Sequence, residues 1–313
     1  MPAEPNRREW MTLASAALGV GSTAPLALAA DPRPGTDPFV YCLNTSTVQG
    51  QKLDLVEIIA IASKAGFQAI EPWVGELERH TANGGLKELG KRFQDNGLQV
   101  ADVIAFPEWA VDDETRRKKG FEDAKRVMDM VTQIGGKRLA APPAGATKEA
   151  DLSLGRIAER YRTLLELGAK MGVVPQLELW GFSKVLSRLG EVAYVAIEAG
   201  HPDAAILLDV YHIYKGGNGV DGLRLLNGAA IHILHFNDYP GEPARTEITD
   251  AARVYPGDGV APIRAILRTL RDQGFRGVLS LELFNRDYWK QDAAKVIQTG
   301  LEKMKAAVQT ALA

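Results

Sequence analysis

The chain has 313 residues, 46% of them hydrophobic, enough to bury a sizeable core in one large domain or two ordinary ones. Its formal net charge of −2 gives no electrostatic argument for nucleic acid or an anionic membrane as partner. One cysteine, Cys42, excludes an internal disulfide and a cysteine-based zinc cluster, and its place in the apolar run 39–43 marks a core residue of the first strand.

The first thirty residues differ from the rest. Arg7 and Arg8 precede an uncharged stretch, residues 12–30, rich in Ala, Gly and Leu and ending Ala27-Leu28-Ala29-Ala30-Asp31. An arginine pair, a moderately apolar run and a small-x-small cleavage pattern predict a twin-arginine export signal over residues 1–30 and a periplasmic location. The run contains Gly, Ser, Thr and Pro and is a poor span, so no stable membrane insertion of the mature chain, residues 31–313, is expected. Asp31 to Asp37 reads as an extended leader.

From Phe39 onward short apolar runs alternate with helical periodicity. Strands are predicted at 39–44, 68–73, 100–106, 138–141, 174–180, 205–210, 230–237 and 277–284. They are apolar nearly throughout, as parallel strands buried on both faces are. Between them lie helical patterns such as Leu53, Val56, Ile59, Ala60, Ser63 and Phe121, Ala124, Val127, Met128, Val131, several closed by glycine at Gly66, Gly97, Gly135, Gly200 or Gly274. Eight strands followed by helices predict a single α/β domain, a (β/α)₈ TIM barrel, for which about 250 residues suffice. The doubly wound sheet is the alternative, disfavoured because no Gly-x-Gly-x-x-Gly follows the first strand.

Four of these strands end in a ligand-type side chain: Glu178, Asp209, His235 and Glu282. A parallel barrel gathers the C-terminal ends of its strands at one rim, where active sites lie. An ionised carboxylate between apolar neighbours, as in Leu177-Glu178-Leu179 and Leu281-Glu282-Leu283, is costly unless paired, hydrogen-bonded or bound to metal. A salt bridge in the barrel mouth is the competing explanation for each glutamate alone. Together, two Glu, one Asp and one His predict a hard site for one divalent ion, with Mn²⁺ placed first and Co²⁺, Mg²⁺ or Zn²⁺ as alternatives. His212, three residues after Asp209, is expected to face the same cavity and polarise a substrate oxygen. His232 is assigned to the opposite strand face and His201 to a structural turn, while His80 stays open. Arg253, in Arg253-Val254-Tyr255-Pro256-Gly257-Asp258-Gly259, is either a donor to a substrate oxygen or part of a tight turn. Trp180, with Trp73, Phe106, Trp109 and Phe284, suits sugar stacking or ordinary packing.

On these residues the chain resembles the xylose isomerase-like barrel family, also called the AP endonuclease family 2 or sugar phosphate isomerase/epimerase group, nearest its inosose isomerase/dehydratase and ketose 3-epimerase members. The resemblance spans roughly 39–307 and rests on Leu-Glu-Leu-Trp at 177–180, Asp-Val-Tyr-His at 209–212, His-Phe-Asn-Asp at 235–238, Tyr-Pro-Gly-Asp-Gly at 255–259 and Leu-Glu-Leu-Phe at 281–284. It implies Glu178, Asp209, His235 and Glu282 as ligands of one divalent metal and His212 as a substrate contact. It further implies Glu178 and Glu282 as the catalytic pair that moves a proton on and off the carbon beside a carbonyl. One departure stands out: where the epimerases carry a second glutamate six residues after the first ligand, this chain has Lys184. The DNA-repair branch needs further histidines on early strands, and only His80 precedes residue 200.

The expected activity is therefore metal-dependent isomerisation or epimerisation of a keto-sugar, polyol-derived ketone or inosose through an enediolate. The substrate is a small sugar or polyol and not nucleic acid. An inosose-dehydratase-type lyase and a non-catalytic exported sugar-binding protein are the rivals.

Overall fold

The computed structural model describes residues 38–81 and 85–313. The expected export signal and the leader to Asp37 lie outside the described residues. Eight parallel strands follow in order: β1 (Val40–Asn44), β2 (Ala69–Glu71), β3 (Gln99–Val100), β4 (Arg138–Ala141), β5 (Val174–Glu178), β6 (Ala205–Asp209), β7 (Ile231–His235) and β8 (Val278–Leu281). Each pairs with its sequence neighbours except β3 with β4, which end the sheet order, and β1 also pairs with β8 (Val40 opposite Val278, Leu43 opposite Leu281). The Ala140 amide donates to the Val103 carbonyl at 3.1 Å, which joins the β3 segment to β4 and closes the ring. The barrel is the expected one.

Helices wrap it: α1 (Leu55–Ala65), α2 (Val74–Thr81), α3 (Gly85–Asp95), α4 (Glu114–Gln133), α5 (Leu154–Met171), α6 (Leu189–Glu198), α7 (Val210–Lys215), α8 (Ile263–Asp272) and α9 (Ala293–Leu312). Local chemistry sets their ends. Asp54 caps α1 in a capping box with Glu57, and Gly66 (φ 96°) ends it in the left-handed conformation that a Cβ disfavours. Among the described residues no helix is long and apolar enough to cross a membrane.

The third strand departs from expectation. It is regular only over Gln99–Val100, then continues as extended chain to a single parallel bridge between Ile104 and Trp73. The Asp102 carboxylate accepts from the next amide, Val103, at 2.8 Å, a local bond that competes with a regular ladder.

Strand alternation divides the core in two. Leu43, Ile70, Leu139, Leu177, Leu208, Leu234 and Leu279 pack outward against the helices, while Cys42, Ala69, Ala140, Leu207 and Ile233 fill the barrel interior. A period of two then fixes what stands one step above the interior layer. Above Cys42 comes Asn44, above Ala69 Glu71, above Leu207 Asp209 and above Ile233 His235. All four are fully buried. His232 shares the outward parity of Leu234, as expected.

Candidate metal centre

The sequence-predicted ligands stand at the C-terminal ends of four neighbouring strands. Glu178 ends β5, Asp209 ends β6, His235 ends β7, and Glu282 follows the last residue of β8. Asp209 pairs directly with His235 across the β6–β7 ladder. One ligand atom each from Asp209, His235 and Glu282 fall within 4.8 Å of one another, the spacing that one ion could bridge. His235 Nδ1 lies 3.1 Å from Glu282 Oε2, 3.5 Å from Asp209 Oδ2 and 4.0 Å from Glu178 Oε1.

Two buried atoms in this cluster have no hydrogen-bond partner: Nδ1 of His235 and Oε2 of Glu178. Buried polar atoms are normally satisfied, so unpartnered ones call for a missing partner. Three carboxylates and one imidazole are also the donor set of a hard divalent ion. The residues fit such an ion.

Other contacts fix the carboxylates. Asp209 Oδ1 caps α7 by accepting from the His212 amide at 2.8 Å, which turns the chain so that His212 re-enters the cavity. Its Oδ2 accepts from Arg253 Nη1 at 2.8 Å and Asn237 Nδ2 at 3.2 Å. Arg253 Nη1 also donates to Glu282 Oε2 at 2.7 Å, and Asn44 Nδ2 donates to Glu282 Oε1 at 3.2 Å. The guanidinium is buried, packs over the rings of Tyr211 and Phe284, and also bonds Asp250. The Arg253 donors that the sequence reading aimed at a substrate oxygen thus rest on the carboxylates.

Electrostatics separate the four groups. Burial, with the charges of Glu282 and Asp209, pushes the Glu178 carboxyl up to about 8 despite the nearby imidazole. Asp209 is equally buried, yet the Arg253 guanidinium, aided by His212 and His235, holds it well below the usual carboxylate range. Burial would lower the His235 pKa, but Glu282, Glu71 and Asp209 raise it well above the ordinary value. Burial lowers that of His212. Arg253 Nη2 approaches His212 Nε2 at 3.2 Å, and because a guanidinium only donates, Nε2 is the acceptor. Nδ1 of the neutral ring then carries the proton, and it is buried without a partner.

Aromatic rings line the approach. Trp73 packs against Phe106 (5.3 Å between centroids) and Phe284 (5.9 Å), Phe106 against Trp180 (5.8 Å), Trp180 against Phe182 (5.1 Å), and Phe182 against His212 (5.7 Å). Phe106 and Phe182 remain 39% and 48% exposed, so apolar ring surface is open to solvent beside the ligand cluster. Trp109 is different: it is fully buried against Tyr161, a packing residue.

Sequence reasoning missed Glu71 and Asp102. Glu71 is fully buried, and its carboxylate contacts His235 Nε2 at 3.2–3.3 Å, Ser280 Oγ at 2.7 Å and Asn44 Nδ2 at 2.7 Å. Burial raises its pKa, but His235, Ser280 and Asn44 outweigh that and lower it. The signal was present: Ala69-Ile70-Glu71-Pro72-Trp73 is another apolar strand ending in glutamate. Asp102 lies buried with Gln176 Nε2 donating to it at 2.7 Å, and burial raises its pKa well above the ordinary value.

The loop 253–259 folds around Asp238, whose carboxylate accepts from the amides of Gly257, Gly259 and Ala261. A Cβ on Gly259 would fall 2.2 Å from the Tyr239 carbonyl, so glycine is required there. The loop is both a tight turn and the mount for Arg253. His80 pairs with Asp54 at 3.4 Å, and His201 Nδ1 accepts from the Asp203 amide at 3.2 Å, so neither joins the cluster.

Comparison with known proteins identifies the family. Residues 59–307 match the xylose isomerase-like TIM barrel family, and the chain belongs to that family. An inosose isomerase of Bacillus velezensis is 26% identical over 271 residues, covering 85% of this chain and 96% of the relative. A fructoselysine 3-epimerase of Escherichia coli O157:H7 is 24% identical over 245 residues, covering 74% and 86%. The crystal structure of the IolI protein with a bound zinc atom superimposes with a TM-score of 0.80 at 23% identity, covering 87% of this chain and 99% of that one.

Proposed function

We propose that this member of the xylose isomerase-like barrel family is a divalent-metal-dependent isomerase or epimerase of a keto-sugar, polyol-derived ketone or inosose. The observation that carries the reading is the convergence of Glu178, Asp209, His235 and Glu282 around the unpartnered Nδ1 of His235. A divalent ion held by these four residues, Mn²⁺ first among the candidates, would supply Lewis acidity that acidifies the C–H beside a carbonyl and stabilises the enediolate.

The chain's own residues supply the rest. Glu178 and Glu282 exchange the proton on the reacting carbon, one removing it and the other returning it. His212 Nδ1–H donates to a substrate oxygen, which satisfies a donor otherwise left unpaired. Trp180 and Phe182 cover the apolar face of a sugar ring and keep bulk water from the enediolate. Arg253 holds Asp209 and Glu282 in place. The isomerase and epimerase named above support the substrate class, since both act on carbonyl-bearing polyols by their names.

Incubation of the metal-loaded chain with keto-sugars and inososes in D₂O tests the reading. The expected result is solvent deuterium at the carbon beside the carbonyl in a product of otherwise unchanged mass. Loss of water would identify the lyase instead, and binding without exchange would identify a sugar-binding protein. Periplasmic export through the twin-arginine route is a separate proposal, resting on Arg7, Arg8 and the weakly apolar run behind them. Replacing both arginines by lysine is expected to leave the folded chain in the cytoplasm, as fractionation would show.

A further inference from the structure

One fully buried carboxylate stands behind the imidazole of the candidate centre. Glu71 ends β2, and its side chain crosses the interior past β1 and β8 to reach His235 on β7. His235 Nε2 lies 3.3 Å from Glu71 Oε1 and 3.2 Å from Oε2. Glu71 is itself held: Asn44 Nδ2 and Ser280 Oγ each approach Oε2 at 2.7 Å. Asn44 is in turn fixed by the Trp73 indole N–H, which donates to its Oδ1 at 2.9 Å.

We propose that Glu71 is a positioning residue for the centre. It holds His235 with Nε2–H directed away from the ligands and Nδ1 directed among them, and so sets the site's affinity for its ion. The inference rests on the reading of Glu178, Asp209, His235 and Glu282 as an ion site.

Three features carry it. First, Glu71 as a carboxylate, with two donors on Oε2, only accepts, so Nε2 of His235 must bear a proton and the lone pair available to an ion lies on Nδ1. Second, that Nδ1 is the atom facing the three other ligands, at 3.1, 3.5 and 4.0 Å, with no hydrogen bond of its own. Third, a carboxylate accepting from the far side of a ligating imidazole fixes the ring's tautomer and orientation and makes it a better ligand. A glutamine would lose the charge and would set an amide N–H₂ among the donors of Asn44 and Ser280.

Zn²⁺ alone serves as the probe. In the Zn²⁺-loaded wild-type chain, imidazole ¹⁵N spectra should show His235 ligated through Nδ1, with an Nε2–H that exchanges slowly with solvent. Glu71→Gln and Glu71→Ala should each raise the Kd for Zn²⁺ by about 10- to 100-fold and lose the slow exchange. Ser280→Ala, which removes one donor to Glu71 without touching His235, should raise it only a few-fold. Ligation through Nε2 in the wild type would overturn the inference whether or not the variants fold. Normal Zn²⁺ uptake with an unchanged Kd in both Glu71 variants would overturn it while leaving the centre intact. A wild-type chain that takes up no Zn²⁺ would overturn the centre and this inference together.

Discussion

On the β5–β8 side of the barrel mouth, the strand ends carry the four ligand-type side chains that cluster at His235 Nδ1: Glu178, Asp209, His235 and Glu282. On the β1–β4 side the strand ends offer Asn44 and Glu71, which touch Glu282 and His235 from beside that cluster. Beyond them come the Trp73 and Phe106 rings, which line the approach. One half supplies the donors and the other holds them still. Ligating atoms left free to rotate would lose ordering entropy on capturing an ion, and bonds such as Asn44 to Glu282 and Glu71 to His235 remove that freedom beforehand. The asymmetry predicts that substitutions in the β5–β8 half abolish binding or chemistry, whereas those in the β1–β4 half weaken it by degrees.

The largest effect is expected at Asp209. Asp209→Ala removes a ligand, the cap of α7 and a partner of the buried Arg253 at once. The ion should be lost and turnover with it. Arg253 keeps Glu282 and Asp250, so the lost charged hydrogen bond should cost about 1–3 kcal/mol of stability. Elemental analysis and denaturant unfolding would measure both, and full occupancy in this variant would remove the site as drawn.

Glu282→Gln comes next and separates ligation from chemistry within the same half. The amide oxygen still coordinates but cannot accept a proton, so kcat should fall by roughly 10² to 10⁴ with the ion retained. Hydrogen exchange at the wild-type rate would make Glu282 a ligand only.

The third expectation concerns pH. Because burial lifts Glu178 to about 8, the ion-free folded chain holds a proton that the unfolded chain, with the ordinary value of 4.5, has released between those pH values. Glu178 therefore favours the ion-free fold more at low pH, and that contribution is lost as pH rises through about 8. Ion binding needs the carboxylate, so affinity should run the other way. Glu178 alone should weaken it by up to about tenfold per unit below pH 8, and His235, which must also give up its Nδ1 proton, should steepen that, so at least one proton is released on binding near pH 7. Titration calorimetry in buffers of different ionisation enthalpy would detect that proton, and its absence would place the high-pKa group elsewhere.

The smallest effect is expected in the supporting half. Asn44→Ala deletes one hydrogen bond to Glu282 and one to Glu71 while leaving every ligand in place. A loss of about 1 kcal/mol per bond corresponds to roughly a fivefold weakening of ion binding for each. A loss as complete as that of Asp209→Ala would erase the distinction between the two halves.

The sequence by itself determined the barrel and singled out the four side chains that cluster at its mouth. Apolar runs separated by glycine-capped helical periodicity leave few architectures open. A Glu, Asp or His at the end of such a run is legible because an isolated charge there is unfavourable. Glu71 carried the same signal, but β2 is only three residues long and Pro72 follows, so the pattern is brief. Tertiary structure alone decided two things. It placed Glu71 across the interior against His235, a pair separated by 164 residues, and it brought Arg253 onto Asp209 and Glu282 rather than into open cavity. The physical reason is common to both: which partner satisfies a buried charge depends on side-chain reach across the closed ring, and linear spacing carries no record of that reach.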